Sequence, residues 1–126
     1  MHKQGVDLLI ASEGKLALSG LDLPGVQVSL HDAPGSLQAV LTASQEQPFM
    51  GIIGTDDAST ELAVLASMHL QLPHNPLLSV RLARRKDLAR SHLARAGVPV
   101  PRHWKIDLTG PLAPQLTHVI FPCVVK

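Results

Sequence analysis

The chain has no tyrosine, one tryptophan (Trp104) and two phenylalanines (Phe49 and Phe121) in 126 residues. A core this poor in aromatics has to be filled by Leu, Val, Ile and Ala. The same scarcity argues against single-strand nucleic-acid binding, which relies on aromatic stacking platforms. With one cysteine, Cys123, no intrachain disulfide can form, which agrees with a reducing compartment. Its place in the apolar run FPCVV predicts a packed core thiol. No apolar run approaches the roughly 18 residues of a membrane span. The N-terminal MHKQGVDLLIASEG has too short an apolar stretch for a secretory signal, so a cytoplasmic protein is expected. Phosphate-binding glycine loops of the GxxxxGK[ST] or GxGxxG type are missing, as are HExxH and GxSxG. The seven histidines (His2, His31, His69, His74, His92, His103 and His118) form no pair at helical ligand spacing, so no metal site is assigned to them.

What is present is an apolar fraction of 45% and a net charge of +1 that hides a strong asymmetry. Residues 1–80 hold two lysines and eight acidic groups, a net of −6. Residues 81–126 hold nine basic groups and two acidic ones, a net of +7. The second half therefore either faces something anionic or presents a solvated, arginine-rich helix face.

Periodicity outlines an α/β chain. Val6–Ala11 reads as a short buried strand and Leu16–Leu18 as another extended piece. Val26, Val28 and Leu30 alternate with polar residues, the period of a half-buried strand. A turn is expected at Pro34-Gly35, then a helix from Ser36 to about Glu46. The run Phe49–Gly54 (FMGIIG) suits a central parallel strand, with its two glycines in structural rather than phosphate-binding roles. Thr55, Asp56 or Asp57 can cap a following helix whose Leu62, Leu65, Ala66 and His69 share a face and which ends at Leu72-Pro73. Asp56 and Asp57 also stand where open α/β sheets place ligands, so a functional carboxylate pair is the competing reading. This order implies a parallel sheet with crossover helices.

Asn75-Pro76 opens a second helical region, with Asn75 as cap, a break near Arg84 and a further helix from about Lys86 to Ala96. Gly97 sits where a left-handed C-cap is wanted, and Pro99 and Pro101 stop the helix. Trp104–Leu108 is expected as a strand, Gly110–Pro114 as a loop and Val119–Lys126 as a strongly apolar strand. That last strand needs neighbours the sequence does not supply, so the chain is expected to be a fragment; a strand closing the first sheet is the alternative. Lys86 and Lys126 are the lysines placed to act as point-charge phosphate partners.

The stretch GIIGTDDASTELAVLASMHLQLPHNP, followed by KDLARSHLARAGVPVP and FPCVVK, resembles the start of ATP-grasp ligases. Those proteins carry a strand, an acidic turn, a helix and an LGLP-N-P pattern, then DKxxxRxxLxxAGVPVP and a strand ending in FPxVVKP. Lys86, Arg90, Gly97, Pro99 and Lys126 fall in register over residues 26–126, and Arg85 stands where many relatives have aspartate. The resemblance implies a small Rossmann-like pre-ATP-grasp α/β domain at 1–75, a helical linker at 76–98 and the first strands of a truncated ATP-grasp domain at 99–126. It further implies a carbon–nitrogen ligase working through an acyl phosphate, with ATP and a small carboxylate as partners. Lys86 and Lys126 would face the ATP phosphates, and the Mg2+ ligands would lie beyond the end of this chain. A homo-oligomer is compatible with this reading, and no membrane partner is expected. Catalytic residues stay unassigned, and the isolated fragment is expected to be inactive. The competing reading is a nucleic-acid-binding or interaction module built on the basic helices 76–96.

Overall fold

The computed structural model describes residues 5–14 and 24–125. They divide into two compact units at Arg81/Leu82, and each is described by itself. Unit 1 contains strands β1 (Ile10–Ser12) and β2 (Gly25–Gln27), helices α1 (Ala33–Glu46) and α2 (Ser59–His69), and most of α3 (Leu77–Arg84). The two strands pair in parallel with Ala11 opposite Val26, as expected for this fold class. The register is extended by Ile10 N–H donating to Pro24 O (3.0 Å) and Val28 N–H to Ser12 O (3.0 Å). β1 begins later than the periodicity suggests: Val6 is exposed, and pairing starts only at Ile10. The expected extended piece at Leu16–Leu18 lies outside the described residues.

After β2 the expected alternation holds, with Val28 buried while Gln27, Ser29 and His31 are exposed. The Pro34-Gly35 pair is not a separate turn, because α1 starts at Ala33 and takes both residues into its first turn. Proline is tolerated there because those N–H groups have no helical acceptor. Asp32 caps α1, its carboxylate accepting from Gly35 N–H at 3.0 Å. Ser36 joins helix to strand: buried in the first turn, it accepts from Ser29 N–H (2.7 Å) and donates to Ser29 C=O (2.7 Å). One hydroxyl thereby satisfies both backbone groups of Ser29.

The core cluster is Val28, Val40 and Ala66, with Val26, Leu37, Phe49, Ile52 and Leu62 packed against it. It is aliphatic apart from Phe49, as the composition requires. α1 packs on α2 and on β2. The expected face of α2 is only partly right: Ala63, Val64, Ala66 and Ser67 are buried, Leu62 lies against the core, and His69 is exposed.

Residues 49–54 are not a strand. Phe49 and Ile52 pack inward, but Met50 is 95% and Ile53 88% exposed. No ladder hydrogen bond joins this run to β1 or β2 among the described residues. An apolar run favours extended backbone, but only a partner's N–H and C=O groups make it a strand. Its end is fixed by close packing instead: a Cβ on Gly54 would fall 2.6 Å from Thr60 Cα and 2.9 Å from Thr60 N.

α2 ends in a Schellman motif, with Gln71 N–H donating to Met68 O (3.3 Å) and Leu72 N–H to Ser67 O (2.9 Å). Its left-handed position is held by Gln71 (φ 55°), where glycine is the favoured residue. α3 opens on the Pro76 carbonyl, which accepts from Val80 N–H at 3.3 Å and from Ser79 Oγ at 2.7 Å, so Pro76 rather than Asn75 precedes the ladder.

Unit 2 contains the last residues of α3, then α4 (Lys86–Arg95) and α5 (Leu112–Leu116). The break comes at Arg85, one residue from where the pattern put it. α4 ends as expected, with Gly97 at φ 76°, Gly97 N–H on Ala94 O and Val98 N–H on Leu93 O, both 3.0 Å. Residues 104–108 are irregular rather than a strand. The expected loop at Gly110–Pro114 is partly the helix α5, which admits Pro114 in its first turn. Gln115 of that helix closes the loop, accepting from Asp107 N–H (2.8 Å) and donating to Asp107 O and Pro111 O (both 3.0 Å).

Residues 119–125 are not a strand either. Phe121, Val124 and Val125 are 69%, 84% and 89% exposed, and Pro122 has no N–H to donate to a ladder. Cys123 is consequently exposed, not a packed thiol, because the apolar residues beside it in sequence do not cover it. Among the described residues no helix is long and apolar enough to cross a membrane.

Candidate functional site

The acidic turn after residue 54 caps a helix. Asp56 Oδ1 accepts from Ala58 N–H and Ser59 N–H, both at 2.8 Å, while Ser59 Oγ accepts from Asp56 N–H at 3.3 Å. This is a capping box, so the helical turn physically begins at Asp56; Ala58 already has helical backbone (φ −79°, ψ −40°). The Ser59 N–H, then its side chain, hold the Asp56 carboxyl below the usual 3.8; partial desolvation opposes them and the Ala58 N–H adds to the lowering. Between the two readings of Asp56, the geometry is that of the cap.

The polar side chains at the carboxyl end of β1 are likewise directed at backbone. Glu13 Oε1 accepts from Leu30 N–H (2.7 Å), and Ser12 Oγ donates to Gly14 O (2.9 Å). A groove of about 650 Å³ opens at the other end of the strands, between Leu9, Pro24, Gly25 and the last turns of α1. Among the described residues its only charged lining residue is Glu46, which does not suit a polyanion.

The basic residues are the chemically distinctive set, and they differ in what they touch. Arg81 Nε donates to Glu61 Oε1 at 2.8 Å, tying α3 to α2 within unit 1. Arg85 grips Asp87 with two hydrogen bonds, Nε to Oδ1 (3.0 Å) and Nη2 to Oδ2 (2.8 Å). That grip is the main reason the Asp87 carboxyl is held at about 2, with desolvation opposing it. The other carboxylate of unit 2, Asp107, accepts from Thr109 Oγ1 (2.7 Å) and N–H (2.9 Å), which lower its pKa in that order.

Lys86 is exposed on the first turn of α4, and Arg90, half-buried, follows one turn later. Neither side chain has a hydrogen bond or ion pair among the described residues. Residues at i and i+4 lie about 5–6 Å apart at Cβ, and like charges so placed cost a few tenths of a kcal/mol. Lys86 also stands at the end of the helix where the macrodipole disfavours a cation. Lys126, the expected partner of Lys86, lies outside the described residues. It is the motif that singles out Lys86 among the basic residues. The role of Asp87 was not legible, because sequence does not show that Arg85 would take its carboxylate.

Among the described residues, no group of three or more His, Cys, Asp or Glu could hold a metal ion. His69 and His74 each bond a nearby backbone carbonyl through Nδ1, to Leu65 O and Asn75 O (both 2.8 Å).

The fold is a mixed α/β arrangement with a small parallel sheet, similar to a region of a solved ligase structure. A solved structure similar to this chain is an L-amino acid ligase from Bacillus licheniformis, with a TM-score of 0.72 and 23% identity over 85% of this chain. The chain spans 28% of the length of that ligase. No family profile and no curated protein sequence matches it.

Proposed function

We propose that this chain is the N-terminal region of an ATP-dependent carboxylate–amine ligase of the ATP-grasp kind, acting on an amino acid. The observation that carries this reading is the likeness of 85% of the chain to part of an amino acid ligase. The ordered motifs KDLARSHLARAGVPVP and FPCVVK support it, since they lie on α4, its glycine C-cap and the segment running to Lys126. In this reaction class a substrate carboxylate oxygen attacks the γ-phosphorus of ATP and the bond to ADP breaks. The amine nitrogen then attacks the acyl carbon, loses a proton and displaces phosphate. The part assigned to this chain is electrostatic: Lys86 and Lys126 hold phosphate oxygens, which suits a reaction governed by positioning and charge neutralisation. Mg2+ goes with the family, and its ligands are assigned to residues past Lys126. The cytoplasmic assignment belongs to the same proposal and rests on the lone cysteine.

The test is hydroxylamine trapping with the polypeptide of the complete reading frame, MgATP and a panel of amino acids. Amino-acid-dependent hydroxamate, reduced at least tenfold by Lys86→Gln, supports the reading. ATP hydrolysis indifferent to any carboxylate, or no ATP binding, overturns it. The nucleic-acid reading is weakened because Arg81 and Arg85 are engaged by Glu61 and Asp87.

A further inference from the structure

Unit 2 has two carboxylates among its described residues, and the fold directs both elsewhere: Asp87 to Arg85, Asp107 to Thr109. Lys86, Arg90 and Arg95, the cations on α4, have no counter-ion among the described residues. Arg90 stands apart from Lys86 and Arg95, which are exposed, in being only partly so. Its stem is partly covered, while its five guanidinium N–H donors stay accessible and have no protein partner among the described residues. It stands one helical turn from Lys86, on the same side of α4. Arginine's planar fork can take two oxygens of one phosphate, while the lysine adds a mobile point charge.

We propose that Arg90 and Lys86 together form a two-point seat for a phosphate of the nucleotide, with Arg90 as a binding residue the motif alone does not assign. Arg85 is a positioning residue that keeps the Asp87 carboxylate off the seat. The proposal rests on the ligase reading for the identity of the anion. The pairing of a bidentate arginine with a lysine favours a terminal or bridging phosphate over the singly charged phosphodiesters of a nucleic acid.

The test titrates the 126-residue chain at low ionic strength with three probes: pyrophosphate, ATP without metal, and a 20-nucleotide DNA. Each is followed by calorimetry on wild type, Lys86→Gln, Arg90→Gln and Arg90→Lys. Circular dichroism and Tm without ligand control for folding. The expected result is that pyrophosphate and ATP bind, that either glutamine variant weakens both at least tenfold, and that Arg90→Lys recovers part of the loss. Arg85→Gln should weaken both probes less than either, by freeing Asp87. If Lys86→Gln weakens ATP but Arg90→Gln leaves it unchanged, the seat is wrong and the ligase reading stands. If neither variant changes ATP or pyrophosphate affinity, both fall. Tighter binding of the DNA than of pyrophosphate overturns the seat in favour of a phosphodiester partner.

Discussion

Gly54→Ala should destabilise the chain, and Gly51→Ala, three residues earlier in the same GIIG run, should not. A methyl on Gly54 would sit 2.6 Å from Thr60 Cα and 2.9 Å from Thr60 N. These are backbone atoms in the first turn of α2, and no side chain can rotate out of the way. The turn is also held by the Asp56 capping box, so relief requires either moving α2 off the core around Ala66 or opening the cap. Overpacking of this kind costs about 1–3 kcal/mol. The smaller conformational freedom of alanine in the unfolded chain returns about 0.4–1 kcal/mol. The net loss is then about 1–2 kcal/mol. With a urea m-value of about 1–1.5 kcal/mol per molar for a chain of this size, the midpoint should fall by about 1 M. A methyl on Gly51 meets nothing within 4 Å, so its substitution should stay within about 0.5 kcal/mol of wild type. Urea melts of the two variants, read by far-UV circular dichroism with a shared m-value, decide the matter. Equal midpoints for the two would refute the packing of Gly54 against α2.

Ser36→Ala leaves the Ser29 N–H without a partner, while Asp32 N–H still reaches the Ser29 carbonyl, and should cost about 1–2 kcal/mol in the same melts, whereas the exposed Ser29→Ala should be near neutral. Gln71 occupies a left-handed cap position, so Gln71→Gly should stabilise by about 0.5–1 kcal/mol, and Gly97→Ala at the equivalent position of α4 should destabilise by about as much. Gln115→Ala should loosen the 107–111 loop, visible as faster amide exchange at Asp107. The Asp87 carboxyl is lowered on folding, so its contribution is complete above the unfolded value of 3.8. It should be lost as pH falls toward about 2; acid titration of helicity should show a step there that Asp87→Asn removes.

The local chemistry was legible and the pairing was not. The Gly97 C-cap, the break before Lys86, the Asp56 cap and the alternation around Val28 each depend on residues within one or two turns of each other. They appear where the pattern placed them. The runs at 49–54, 104–108 and 119–125 failed for a shared reason. Their hydrophobicity states a preference for extended backbone and burial, but a strand exists only when a second backbone supplies its ladder. Met50, Ile53, Val124 and Val125, all more than 80% exposed, carry that preference without the partner.

The same distinction runs through the site. Charge counting marked residues 81–126 as basic, and the motif picked Lys86 out of that set. What neither could show is that the arginines on either side of it have opposite fates. Arg85 meets its carboxylate two residues along the chain, and Arg90 stands one helical turn from Lys86, where a glutamate would commonly neutralise the lysine. Had residue 87 been free to turn toward Lys86, the first turn of α4 would be a self-neutralised helix start and its basicity a solvated surface. By taking both oxygens of Asp87, Arg85 leaves the Lys86–Arg90 side of the helix electropositive. That makes Arg85 a determinant of how strongly α4 attracts an anion.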